Sequence, residues 1–130
     1  MKRIIGLGGL FFKADDPKAM HAWYEKHLGL APMCEGGPVI LPWRHADDPQ
    51  REGMTVWSIF PQNTKYFAPG SATFMMNFCV EDLDAVLAAL ADEGVTIDPK
   101  RDESEYGRFA WIMDPEGNKI ELWEPPKAGR

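Results

Sequence analysis

A chain of 130 residues and 14.7 kDa is long enough for about one domain with a buried core, and its net charge of −6, with no basic stripe, argues against a nucleic-acid or anionic-membrane partner. No apolar run approaches the roughly 18–20 residues needed to span a bilayer, and no membrane partner is expected. Two cysteines, Cys34 and Cys79, show no CxxC pattern and fit free thiols in a reducing cytoplasm, while eleven prolines and twelve glycines call for many short elements rather than a bundle.

In chain order, Met1-Lys2-Arg3-Ile4-Ile5-Gly6 turns glycine-rich and runs into Lys13 and Asp15-Asp16, so it does not read as a secretory signal. Leu7 to Ala14 reads as a strand. Asp16 is a good N-cap, and Pro17 fits the first helical position, where a missing N–H costs nothing. Lys18 to His27 carries Met20, Trp23, Tyr24, His27 and Leu28 at helical spacing, and Gly29 is its stop. Val39 to Leu41 and Met54 to Phe60 are β-like, separated by a polar stretch, Arg44 to Gly53, that reads as a solvent loop containing His45. Pro61 to Gly70 reads as a linker.

The second half repeats the first. Ala72 to Val80 is strand-like, Glu81-Asp82 a cap, and Leu83 to Glu93 a helix with Leu83, Val86, Leu87 and Leu90 in register before Gly94. The caps and stops of the two halves lie about 65 residues apart. Val95 to Ile97 is β-like, Pro99 to Gly107 reads as a charged loop, and then come two strands, Phe109 to Met113 and Lys119 to Trp123. They flank Asp114-Pro115-Glu116-Gly117-Asn118, a strong turn signal. The tail from Pro125 to Arg130 cannot continue the strand and is expected to fray. The whole chain reads as one domain, 1–130, with repeat halves at about 4–62 and 70–125.

Three stretches carry a family resemblance: GLFFKADDPKAMHAWYEKHLGL, FCVEDLDAVLAALADEGV and YGRFAWIMDPEGNKIELWEP. In this order and spacing they resemble the vicinal oxygen chelate superfamily, which holds glyoxalase I, bleomycin-resistance proteins and extradiol dioxygenases. The resemblance implies an α+β fold of two βαβββ modules forming a curled mixed sheet with the helices outside. It also implies a small-molecule cavity in the concave face, and commonly a homodimer. The family's enzymes hold a divalent cation there. The glutamate of the last strand corresponds to Glu121, but the other ligand positions fall on Gly9, on Met75 and in the Val56-Trp57-Ser58 segment, which supply no imidazole or carboxylate. No cofactor is therefore expected, and if any metal binds, Glu121 is its one recognisable ligand.

Strand alternation sends Phe11, Lys13, Met75, Asn77, Cys79, Phe109, Trp111, Glu121 and Trp123 to one face. Leu10, Phe12, Ala14, Phe78, Val80, Ala110, Ile112, Ile120 and Leu122 go to the other, under the helices. With Trp57 as a further wall and Tyr106 and Arg108 at the entry to the last hairpin, these inward residues are the candidate ligand contacts. Glu121 is the one candidate catalytic residue, set against the plainer roles of a solvated carboxylate or the partner of Lys13 or Arg108. Two functions stay open. One is metal-independent binding of a small aromatic or hydrophobic molecule, as in the bleomycin-resistance branch. The other is a lyase, isomerase or dioxygenase that uses Glu121 as general base or metal ligand. A dimeric module with an aromatic-filled cavity and no ligand is the duller third possibility.

Overall fold

The computed structural model describes residues 2–127. Its elements are β1 (Ile4–Ala14), α1 (Pro17–Leu28), β2 (Val39–His45), β3 (Asp48–Pro61), β4 (Phe74–Val80), α2 (Leu83–Asp92), β5 (Ile97–Ser104), β6 (Gly107–Met113) and β7 (Lys119–Glu124). The seven strands form one curled, unclosed sheet in the order β2-β3-β1-β4-β7-β6-β5. Within it β1 runs parallel to β3 and β4 parallel to β7, and the remaining pairs are antiparallel. The expected α+β architecture is present, with an asymmetry: three strands come from the first half and four from the second. No helix among the described residues is long and apolar enough to cross a membrane.

Both helices begin as the cap residues require. Asp16 accepts from the Ala19 N–H at 3.0 Å and Asp82 from the Ala85 N–H at 3.1 Å, which satisfies one otherwise orphaned donor in each first turn. Both stop at a glycine with positive φ, +72° at Gly29 and +80° at Gly94, where a side chain would be strained. The helices differ in burial. α2 seals Leu83, Val86 and Leu87 against Val80, Ala110 and Leu122, with Ile112 and Ile120 at the margin. α1 buries none of its residues fully, and Trp23 remains 52% exposed and Leu28 59%.

Three stretches that read as irregular are ordered otherwise. The polar run Arg44 to Gly53 is largely strand, because β2 and β3 form a long hairpin whose pairing continues to Arg44 opposite Glu52. Likewise Pro99 to Ser104 extends β5, pairing with β6 from Arg101 onward. Edge hairpins carry charge readily because one face is solvated, and hydrophobic alternation alone misses such strands. The segment after Pro61 is more than a linker: it folds back over the helix-free face and buries Phe67 there against Phe11, Met75 and Trp111. Of the tail, Pro125 to Lys127 is irregular, and Ala128 to Arg130 lie outside the described residues.

One backbone feature shapes the site. The β1–β4 pairing slips by a residue between Leu7 and Gly9, so Gly8 bulges toward the helix-free face. A Cβ at Gly8 would run into Asn77 Oδ1, lie 2.8 Å from Cys79 Sγ and 2.9 Å from the Trp123 ring. Gly8→Ala is therefore expected to lose ~1–3 kcal/mol by overpacking. Urea denaturation beside wild type tests this, and an unchanged midpoint would show that the bulge has slack.

Candidate functional site

The site is a row of residues paired directly across five strands. Val56 (β3) faces Gly9 (β1), Gly9 faces Asn77 (β4), Asn77 faces Glu121 (β7), and Glu121 faces Trp111 (β6). Glu121 thus sits mid-sheet with its carboxylate on the helix-free face, only 2% exposed. A carboxylate so placed needs donors, because removing it from water uncompensated costs several kcal/mol. Three are supplied. Asn77 Nδ2 donates to Oε1 at 2.6 Å, Trp111 Nε1 donates to Oε2 at 2.8 Å, and the Tyr66 hydroxyl donates to Oε2. Two of these follow from register: the residues directly opposite Glu121 on both neighbouring strands are donors. The third comes from the segment between the halves.

Tyr66 is the residue that sequence reasoning missed. Its ring stacks on Phe60 with centroids 5.6 Å apart and planes 7° from parallel, and meets Trp111 edge-on at 6.5 Å. Lys119 Nζ lies 5.4 Å from the Tyr66 ring centroid and donates to the Tyr66 carbonyl at 2.8 Å. Burial, then the charge of Glu121, pushes the Tyr66 hydroxyl well above the ordinary phenol range, so it stays protonated and remains a donor. Burial lowers the pKa of Lys119, whose Nζ lies 5.4 Å from the ring centroids of both Tyr66 and Trp111.

The other candidates divide. Phe11, Met75, Asn77 and Trp111 gather around Glu121 or its Phe67 cover. Phe109 and Trp123 stack at 6.0 Å with planes 3° apart, on the row beyond Glu121. Lys13 lies at the rim, its Nζ 5.6 Å from the Phe67 centroid. Trp57 does not join them: it packs under α1 against Phe12, His21 and Tyr24, because its partner in β1 is Leu10, on the helix side. Arg108 does not reach Glu121 either. It is bound to Asp84 of α2 at 3.0 Å and to Glu103 at 2.8 Å, since it alternates with Phe109 and so faces the helices. Tyr106 is exposed at the β5–β6 turn, and its carbonyl accepts from Trp123 Nε1 at 2.7 Å. His45, placed in a loop by its sequence, ends β2 and is buried beside the Trp43 ring at 5.0 Å.

Whether these residues suit the divalent cation implied by the resemblance can be judged from the donors. Both Glu121 oxygens already accept from protein groups, and Asn77 turns its N–H toward Glu121. Gly8 and Gly9 carry no side chain, the Phe11 ring lies over Gly9, and Met75 offers a thioether. Among the described residues no group of three His, Cys, Asp or Glu side chains comes together. The set does not fit a hard divalent cation.

Beyond Glu121 the same face opens. Cys79 and Trp123, the next inward pair of β4 and β7, help to line a cleft of about 1210 Å³, with Trp43 and His45 on the opposing hairpin. Trp43 lies flat over bare backbone, since a Cβ at Gly6 or Gly53 would collide with its ring, and its Nε1 donates to Thr55 Oγ1 at 2.9 Å. Two of the cleft's arginines are already paired, Arg51 with Glu81 at 2.6 Å and Arg44 with Glu52 at 3.6 Å. A separate hollow of about 420 Å³ lies beside Arg108, Glu103 and Pro126.

A family model described as Glyoxalase/Bleomycin resistance protein/Dioxygenase superfamily matches residues 8–122. Among solved structures, a Streptomyces coelicolor methylmalonyl-CoA epimerase in complex with 2-nitronate-propionyl-CoA is similar, with a TM-score of 0.68 at 17% identity, covering 95% of this chain and 99% of that one. A Mycobacterium tuberculosis methylmalonyl-CoA epimerase gives 0.61 at 18%, covering 98% and 92%. A selenomethionine methylmalonyl-CoA epimerase gives 0.63 at 23%, covering 98% and 99%. At these identities the likeness is one of fold. No curated protein matches the chain.

Burial moves the Cys79 thiol from 9.0 up to about 11. A raised folded pKa contributes stability that is intact below the unfolded value and is lost as pH climbs through the folded one. Wild type should therefore lose on the order of 2 kcal/mol more than Cys79→Ala between pH 8 and 11. Denaturant melts of the two proteins across that window test it, and parallel curves would refute it.

Proposed function

The chain belongs to the Glyoxalase/Bleomycin resistance protein/Dioxygenase superfamily, and from that premise we propose that it binds a small aromatic or hydrophobic molecule on the helix-free face of its sheet without a divalent cation. The observation that carries this reading is Glu121, whose two oxygens are taken up by Tyr66, Asn77 and Trp111. A cation arriving there would compete with three hydrogen bonds for the two carboxylate oxygens, and among the described residues no group of three His, Cys, Asp or Glu side chains comes together to hold it. The cleft beyond supports the binding half of the proposal. Its floor and walls include Trp43, Cys79 and Trp123, and its arginines already have carboxylate partners, which favours an uncharged, flat ligand.

The enzymatic alternative, with Glu121 as general base or metal ligand, draws support from the fold shared with the epimerases. It would require Tyr66 to leave Glu121 before any substrate could reach the carboxylate. The proposal extends to a homodimer, supported by α1, which leaves Trp23 and Leu28 uncovered. Sedimentation of wild type is expected to give a dimer that Trp23→Glu weakens, and a wild-type monomer at micromolar concentration would count against it.

The binding reading is tested by titrating uncharged aromatic compounds against tryptophan fluorescence, in wild type and in Trp123→Leu. Loss of the stacked indole is expected to weaken binding about fivefold or more, and silence across a broad panel would overturn the proposal. Elemental analysis with Mn²⁺, Ni²⁺, Zn²⁺ and Fe²⁺ titrations tests the other half. Stoichiometric tight binding that disappears in Glu121→Ala would sink the metal-free reading.

A further inference from the structure

Tyr66 sits in surroundings built like a binding site for a phenol. Its ring lies parallel to Phe60 at 5.6 Å and edge-on to Trp111, a lysine ammonium stands 5.4 Å from its centroid, and its hydroxyl donates to a buried carboxylate. Stacked ring, perpendicular ring, cation and single acceptor are the elements that recognise a flat aromatic with one O–H donor. Yet Tyr66 is not sealed in. It is 39% exposed, whereas its neighbour Phe67 is 1% exposed and anchors the segment from beneath. Backbone bonds around Tyr66 are local turns, Thr64 N–H to the Pro61 carbonyl at 3.0 Å and Ala68 N–H to the Lys65 carbonyl at 3.1 Å. Swinging out the Tyr66 side chain gives up its contacts with Phe60, Trp111, Lys119 and Glu121 but need not disturb these local turns, and Phe67 holds the segment in place.

We propose that Tyr66 is a displaceable resident of a phenol-binding subsite, separate from the Trp123 cleft, and that phenolic ligands enter by exchanging with it for the Glu121 carboxylate. The exchange conserves hydrogen bonds: one phenol O–H leaves Oε2 and another takes its place, while the Asn77 and Trp111 donors stay. Glu121 is thus never left short of a donor, which removes the main cost of opening a buried carboxylate. Because Tyr66 is tethered, it competes at a high effective concentration, and the apparent affinity of an incoming phenol is reduced by the fraction of time the subsite is free. The device makes the protein respond to ligands that out-compete a tyrosine side chain, and it goes beyond the cleft reading because it concerns a different part of the face.

The test uses p-cresol, a free copy of the tyrosine side chain, and toluene, the same ring without the hydroxyl. In Tyr66→Ala, p-cresol is expected to bind at least about tenfold tighter than in wild type, since the competitor is gone. Toluene should bind about tenfold more weakly than p-cresol, and Tyr66→Phe, which keeps the ring in place, should show no gain over wild type. Should Tyr66→Ala fail to fold, wild type labelled with 3-fluorotyrosine provides an independent readout: millimolar p-cresol should shift the ¹⁹F resonance of Tyr66 and leave those of Tyr24 and Tyr106 unmoved. Equal affinities of wild type and Tyr66→Ala, or an unmoved Tyr66 resonance, would overturn the exchange. If other aromatics still bind in a Trp123-dependent manner, the cleft reading survives that failure; if nothing binds either protein, both fall.

Discussion

Everything on the helix-free face depends on one carboxylate taken out of water in the middle of a sheet. An isolated buried charge costs far more than a domain's net stability can absorb, so Glu121 can sit at 2% exposure only if its oxygens are satisfied. Two donors arise from neighbouring strands, where Asn77 and Trp111 pair opposite Glu121. The third forces a long-range consequence. Tyr66 must be carried across the face by the segment that joins the two halves, and Phe67 then comes to lie against Phe11, Met75 and Trp111. One ionisable side chain in β7 thereby draws the connection between β3 and β4 across the face, where Phe67 anchors it.

The duplication supplies the frame for this arrangement but not its symmetry. Both halves reuse an aspartate cap and a glycine stop, and both place a parallel pair next to the centre, β1 with β3 and β4 with β7. The second half fills its helix side with Leu83, Val86 and Leu87, while the first leaves α1 half covered. The half whose helix is well packed is thus the half that carries Glu121. The acceptor and two of its donors belong to the well-packed half, and the third donor arrives from the segment between the halves.

The sequence made much of this readable, for identifiable reasons. Strand parity put Phe11, Met75, Asn77, Trp111, Glu121 and Trp123 on one face, because a period of two survives the short strands around the centre of the sheet. Parity also held Arg108 to the helix side, so naming it a ligand contact from its nearness to the hairpin ignored the alternation. Trp57 was misplaced because no charged neighbour marks the faces of that apolar stretch of β3. Tyr66 carried no periodic signal at all. It lies among Pro, Gln, Asn, Thr and Lys, a composition that predicts a loop correctly and says nothing of where the loop's one phenol is aimed.

A carboxylate at this position can be satisfied by a cation or by neutral donors, and the two solutions have different consequences. A cation needs several ligands converging from different strands, and it leaves coordination positions that water or substrate can take. Neutral donors need only register and one tethered hydroxyl, and each can be exchanged singly. Here the donors differ in how firmly they are held: Asn77 and Trp111 are buried within strands, while Tyr66 rides on a turn with part of its ring in water. Local opening starts where buried contacts are fewest. The face therefore grades from the fixed pair at its centre, through the less firmly held Tyr66 hydroxyl, to the cleft that Cys79 and Trp123 help to line.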